Sequence, residues 1–164
     1  EDIARGAGMS RAALYLHYRN KEDIFRSLAQ MYYDDTIDAV EQVFARGLHP
    51  VDALTEAFAA PGGQIMQVLL TSPHGDELMD AKYAVSTDLV AEGEANLTRV
   101  YAQWLAREKV AGRVSLAAFE GNADSVAATM IAALHGQKAP KPDYQTYCAR
   151  VRQLARLFGK ALQT

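Results

Sequence analysis

The sequence predicts an all-α protein with a small N-terminal domain and a larger helical body. Apolar residues recur at three- and four-residue spacing in successive segments, and alanine, a strong helix former, is abundant. No run of alternating β-branched residues competes as a strand. Gly- and Pro-rich stretches at 61–63, 72–75 and 138–142 are the main breaks. Together with capping signals they predict helices at 21–46, 50–59, 64–71, 76–110, 119–135 and 143–163.

Two short helices joined by a tight turn, with a third helix after them, are predicted in the first 27 residues. An apolar face at residues 3–7 ends at Gly8, where a helix end favours a residue that tolerates positive φ. Ser10 is placed to cap a second helix that begins at Arg11, and Asn20 is placed to cap the third. This layout is typical of a helix-turn-helix, whose second helix enters the DNA major groove.

The faces of the second helix indicate which residues contact DNA. Leu14 and Tyr18 are four residues apart and are expected to face the core, which turns the opposite face outward. Lys21 is a cation at the positive end of the third helix, an arrangement that favours a bound phosphate, and His17 is assigned to the DNA backbone with it. Arg11 is assigned to a base contact. The residues expected to contact DNA are Ser10, Arg11, Ala12, Ala13, Tyr15, Leu16, His17 and Lys21.

Residues 3–22 carry a longer pattern, Ile-Ala-x-x-Ala-Gly-x-Ser-x-x-x-Leu-Tyr-x-His-Tyr-x-Asn-Lys-Glu. It resembles the DNA-binding signature of the tetracycline-repressor-like (TetR) family of bacterial transcription regulators. The resemblance implies an all-helical homodimer, with a double-stranded DNA operator and a small-molecule effector as partners. Family members carry a helix before this pair, whereas this chain opens at Glu1, so we expect the family's first helix to be missing from the segment.

Composition and charge fit this interpretation. We expect a helix-turn-helix domain over 1–27, N-terminally incomplete, and a helical effector-binding and dimerisation domain over 28–164. The net charge is −3, but residues 1–27 hold five Lys or Arg against four acids, which is the sign that DNA binding requires. No stretch is apolar enough to span a membrane, and a single cysteine, Cys148, rules out an internal disulfide framework. We therefore expect a cytoplasmic protein with no membrane partner.

The last two predicted helices are candidates for a dimer interface. Tyr144, Val151 and Phe158 recur every seven residues, as in a coiled-coil seam. Two such helices from each chain would form a four-helix bundle. The alternative is that both helices complete the core of one chain. The expected interface residues are Val126, Met130, Leu134, Tyr147, Val151, Leu154 and Phe158.

Two carboxylates, Asp35 and Glu94, fall on apolar stripes of predicted helices, where a charge is costly unless it has a partner. One interpretation is a pocket in which a carboxylate recognises a cationic or hydrogen-bonding ligand. The other is ordinary core aromatics, with both acids paired to Arg99, Arg107 or water. The residues of the pocket interpretation are Met31, Asp35, Phe58, Tyr83, Glu94, Tyr101 and Trp104.

No positive sequence signal supports an enzyme. A Gly-rich phosphate loop, a Ser-His-Asp spacing and a strong metal motif are all missing, so we expect no catalytic residue, cofactor or metal. The leading hypothesis is a ligand-responsive repressor that binds a palindromic operator as a homodimer. The alternative is a helical small-molecule-binding or enzymatic domain whose helix-turn-helix is purely structural.

Overall fold

A computed structural model of the chain describes Arg5 and residues 8–163, with the backbone alone for residues 81–83. The structure is 79% helical, and its described residues form no strand, which confirms the all-α prediction. Short 3₁₀ turns lie at Ala60–Gly62 and Ala117–Phe119. From position 11 on, the described residues form the α-helices α1 Arg11–His17, α2 Lys21–Ala45, α3 Pro50–Ala59, α4 Gln64–Thr71, α5 Gly75–Val85, α6 Thr87–Val110, α7 Ala123–Gly136 and α8 Tyr144–Ala161.

Aromatic side chains fill the centre of the helical body. Trp104 on α6 stacks on Phe44 of α2 with ring centroids 4.5 Å apart, and Tyr101 meets Phe44 edge to face. The ring centroid of Phe58 on α3 lies 5.7 Å from that of Tyr101, and the Phe58 ring also contacts the Phe158 ring of α8. Such rings bury large apolar areas, each contributing about 1.5–3 kcal/mol. The core therefore ties the long helix α2 to α3, α6 and α8.

Helices α2 and α6 pack tightly against each other at Gly93. A Cβ atom built on Gly93 would lie 2.3–2.6 Å from three ring atoms of Tyr33 on α2. Carbon atoms in contact are normally 3.5–4.0 Å apart, so only glycine leaves room for the Tyr33 ring. The packing of α2 against α6 thus requires a residue without a Cβ atom at position 93.

The predicted single helix over 76–110 is wrong, because the chain forms two helices that meet at Ser86. Ser86 is fully buried with φ −135° and ψ 24°, and its carbonyl accepts the hydrogen bond from Val90 that starts α6. The carbonyl of Val85 accepts a hydrogen bond from Arg26 of α2 at 3.0 Å. A tertiary contact therefore stabilises the break that periodicity along the chain did not predict.

The other helix boundaries agree with the prediction to within a few residues. Helices α3 and α4 are confirmed as predicted, and α2 ends one residue early, before Gly47 with φ +64°. Helix α7 begins at Ala123 rather than 119, because Asn122 caps it by accepting a hydrogen bond from the Ser125 amide. The predicted domain boundary at 27/28 falls inside α2, which passes through it without interruption.

Candidate DNA-binding surface and ligand clefts

The turn before α1 is built as the sequence predicts. Gly8 has φ +66° and its amide donates to the carbonyl of Arg5 at 3.1 Å. The hydroxyl oxygen of Ser10 accepts a hydrogen bond from the Ala13 amide at 3.1 Å, which caps α1. The predicted helix at residues 3–7 lies, apart from Arg5, outside the described residues. Ser10 therefore serves α1 as a cap, whatever further contact it makes.

Helix α1 is anchored by one face and open on the other. Leu14 is buried and Tyr18 half-buried, as expected of the core face, and Ala13 is also half-buried. The guanidinium of Arg11 lies 5.5 Å from the ring centroid of Tyr15, so the two side chains extend together from this helix. Leu16 is 84% exposed. The exposed face of α1 consists of Arg11, Ala12, Tyr15, Leu16 and His17.

A pair of side-chain caps fixes the start of α2. The carboxamide oxygen of Asn20 accepts from the Asp23 amide at 2.8 Å, and the Asp23 carboxylate accepts from the Arg19 amide at 3.0 Å. Lys21 is exposed, with its ammonium nitrogen 5.5 Å from the ring centroid of Phe25. This geometry leaves the ammonium free to meet an anion beside the helix N-terminus, where the dipole also favours negative charge.

Arg26 ties the first turns of α2 to the junction between α5 and α6. Its guanidinium donates to both carboxylate oxygens of Asp88 at 2.7 Å and to the carbonyl of Val85. The hydrogen bonds from Arg26 lower the pKa of the Asp88 carboxyl to about 2. Because this pKa is lower in the folded chain than in the unfolded one, the contact stabilises the folded state at pH values above the usual pKa of an Asp carboxyl. That stabilisation is lost as the pH falls towards 2. The Asp88 carboxylate therefore stays ionised near neutral pH and keeps its contact with Arg26.

An open apolar cleft of about 340 Å³ lies between α2, α4 and α5. Leu28 is 47% exposed and Val68 is 54% exposed, which is unusual for side chains grouped on one concave surface. Among the described residues that line it, none is charged. Apolar side chains supply most of the wall: Phe25, Leu28, Ala29, Val68, Leu78 and Met79.

A second cleft, of about 260 Å³, lies further along α2 and is more polar. We call it the Asp35 cleft, because Asp35 is its one charged lining residue in the described chain. No described cation or hydrogen-bond donor holds the Asp35 carboxylate. The two clefts adjoin, since they share the wall residues Tyr32, Gln64, Ile65 and Met66.

The residues predicted to bind a ligand do not form one site. Met31 and Asp35 line the Asp35 cleft, whereas Phe58, Tyr101 and Trp104 are buried in the core. A carboxylate oxygen of Glu94 lies 3.2 Å from His135 and 3.5 Å from the hydroxyl of Tyr33. The described partners of Glu94 are therefore His135 and Tyr33, rather than Arg99 or Arg107, the two arginines proposed from the sequence. The side chain of Tyr83 lies outside the described residues.

The sequence pattern did not predict the apolar cleft. Leu28 and Val68 fall within the helices predicted at 21–46 and 64–71, where nothing in the pattern indicates a ligand. Periodicity identifies an apolar helix face but not whether another element covers it. The pairing of short, strongly apolar helix α4 with an apolar face of α2 was the one available hint.

Five of the residues predicted for the dimer interface are buried by the chain's own packing: Val126, Met130, Leu134, Tyr147 and Val151. Helix α8 lies mainly against α3, so its heptad residues contact that helix. Leu154 and Phe158 are half-buried at the edge of this contact. Their role between two chains stays a prediction, and the surface still open to a partner differs from the predicted seam.

Within the described part of the chain, none of the helices is long and apolar enough to cross a membrane. No group of three or more His, Cys, Asp or Glu side chains is placed there to hold a metal ion.

Residues 1–28 match the family model described as bacterial regulatory proteins, tetR family. The matched segment contains the turn at Gly8, all of α1 and the start of α2. It therefore coincides with the exposed helix face and the Lys21 helix start described above, and the described residues after it are all-helical. Residues 1–28 are therefore similar to the DNA-binding segment of tetR-family regulatory proteins.

Proposed function

We propose that the protein is a ligand-responsive repressor that binds a palindromic operator as a homodimer and releases it when a small molecule occupies the clefts beside α2. One observation carries this proposal. Helix α2 runs without a break from Lys21 at the DNA-binding surface to Asp35 at the ligand cleft. Because an α-helix is stiff over this length, a displacement at the cleft is transmitted to the DNA-binding end.

The release mechanism depends on the spacing of two α1 helices. In a dimer they must lie about 34–36 Å apart to enter successive major grooves on one face of DNA. A ligand inserted between α2 and α4 would tilt α2 about its contacts with Asp88 and Val85, which Arg26 makes. A hundredfold preference of the ligand for the DNA-free form corresponds to about 2.7 kcal/mol of coupling, and operator DNA weakens ligand binding by the same factor.

The dimer surface in this proposal is the open side of α7 and the neighbouring edge of α8. The exposed side of α7 carries the charged Asp124 near the helix start, followed by a row of small uncharged residues that allow a second helix to approach closely: Ser125, Ala128, Thr129 and Ala132. On α8, Leu157 is 60% exposed beside the half-buried Leu154. Two copies joined on these faces form a four-helix bundle and bury the exposed leucines.

We predict that alanine substitutions at Arg11 and Lys21 weaken DNA binding in different ways. Arg11→Ala should cost about 1–3 kcal/mol on the operator and relax the preference at one base pair per half-site, because a bidentate guanine contact is lost. Lys21→Ala should weaken all sequences alike and lower the salt slope by roughly one per half-site, because a phosphate contact is lost. Fluorescence anisotropy with operator and random DNA at several salt concentrations measures both.

Arg46→Ala is the matched control for this pair. Arg46 follows the far end of α2, where it forms an ion pair with Glu56, so its removal should leave DNA binding unchanged. If Arg11→Ala weakens operator and random DNA equally, Arg11 contacts phosphate and not a base. If Lys21→Ala leaves the salt dependence unchanged, the phosphate assignment of Lys21 is wrong.

A further inference from the structure

The two adjoining clefts lie one after the other along α2, and their linings differ in polarity. The apolar cleft begins at Phe25 and Leu28, and the Asp35 cleft follows further along the same helix. Leu28 and Asp35 are seven residues apart, which corresponds to about 10 Å along the helix. A molecule that fills both clefts therefore meets an apolar wall at one end and a carboxylate at the other.

The Asp35 carboxylate is the strongest chemical signal in this region. Among the residues that line its cleft, none is a described cation. Lys138 lies 5.8 Å from the Tyr32 ring centroid but does not line the cleft. An unpaired carboxylate beside an apolar surface favours a positive charge, which gains Coulomb energy there, and disfavours an anion. An aliphatic or aromatic group that covers the exposed Leu28 and Val68 side chains lowers the free energy, because it removes their apolar surface from water.

We infer that the effector is an amphipathic cation, with an apolar body in the cleft of Leu28 and Val68 and a positively charged head beside Asp35. This inference rests on the proposed function, because it names the ligand of the same clefts. The separation of about 10 Å suits a body of about ten carbons in a chain. Tyr32, Ile65 and Met66, which belong to both clefts, contact the middle of such a molecule.

The test uses three probes of equal chain length, n-decylammonium, n-decanol and n-decanoate, titrated calorimetrically into the full-length protein at pH 7 below their micelle concentrations. We expect decylammonium to bind at least tenfold more tightly than decanoate, and added salt to weaken only the decylammonium complex relative to decanol. Equal affinities of decylammonium and decanoate would overturn the charge assignment. Failure of all three to bind would mean that another segment or a second copy covers the clefts, and it would overturn the inference.

Two pairs of variants locate the probe. Asp35→Asn should weaken decylammonium about five- to tenfold and leave decanol unchanged. Asp34→Asn removes the same charge from a neighbour that lines neither cleft and accepts a hydrogen bond from Gln30, so it should change neither affinity. Val68→Trp should fill the apolar cleft and weaken both probes, whereas Val110→Trp, at a position 91% exposed and outside both clefts, should not. Equal effects within either pair would place the probe elsewhere.

The proposed function has a separate readout. The same protein is tested for operator binding without any probe, and for release when decylammonium is added. Operator binding together with no decylammonium binding would refute the amphipathic cation alone and leave the repressor proposal standing. Absence of operator binding together with Asp35-dependent decylammonium binding would refute the repressor proposal and leave the ligand site standing.

Discussion

The double substitution Ala132→Glu and Leu157→Glu is expected to produce a folded monomer that binds the operator at least a hundredfold more weakly. Both side chains are exposed in the single chain, so the fold tolerates the change, whereas in the proposed dimer four added carboxylates would meet at the contact. Without a partner, each α1 helix binds one half-site and loses an avidity of about 10²–10⁴. Sedimentation equilibrium and operator titration measure the two effects.

Val110→Glu is the control for this experiment. It places the same charge on an exposed apolar residue at the end of α6, which is not part of the proposed contact face on α7 and α8, and should leave both dimer and operator binding unchanged. A double variant that stays dimeric would place the interface on another surface. The predicted seam residues Leu154 and Phe158 would then become the next pair to change.

Gly93→Ala is expected to lower the free energy of unfolding by about 1–3 kcal/mol, although alanine is the better helix former. The added methyl group would lie 2.3 Å from the first ring atom of Tyr33, which is held in the interior and has no flexible end that can move aside. The two helices must therefore separate, which weakens the packing of α2 against α6. Urea unfolding followed by circular dichroism gives the change in stability.

Two comparisons isolate the steric cause at Gly93. Gly136→Ala makes the same change where no atom lies within 4 Å of the added methyl group, and it should be neutral or stabilise by up to about 1 kcal/mol. In a Tyr33→Ala background the ring is gone, and Gly93→Ala should then cost well under 1 kcal/mol. A cost that persists in that background would show that the Tyr33 ring is not the obstacle.

The DNA-binding segment could be predicted from the sequence because its structure is determined locally. Gly8 marks the turn, and Ser10 and Asn20 accept hydrogen bonds from amides three residues ahead, so each signal and its partner lie within one helical turn. The break at Ser86 was missed for the opposite reason. The carbonyl of the preceding residue, Val85, accepts a hydrogen bond from Arg26, which is 59 residues away along the chain.

The ligand clefts could be predicted only in part. Periodicity placed Met31 and Asp35 on one side of α2 and aromatic residues on other helices, but it could not distinguish a covered apolar face from an open one. Trp104 and Tyr101 both pack against Phe44 inside the core, while Leu28 and Val68 remain accessible. The same limit applies to the dimer seam, because heptad spacing in α8 predicts a helical partner but not whether that helix belongs to the same chain, within which α8 lies mainly against α3.

Sequence-specific DNA binding is the central claim, and a competition experiment with the full-length protein tests it most directly. Labelled DNA from upstream of its own gene is bound and then challenged with unlabelled copies of that DNA or with random DNA of equal length and composition. We predict that the upstream DNA competes at a concentration at least a hundredfold lower than random DNA does. Equal competition by the two would contradict the claim, because it would leave only phosphate contacts to account for binding.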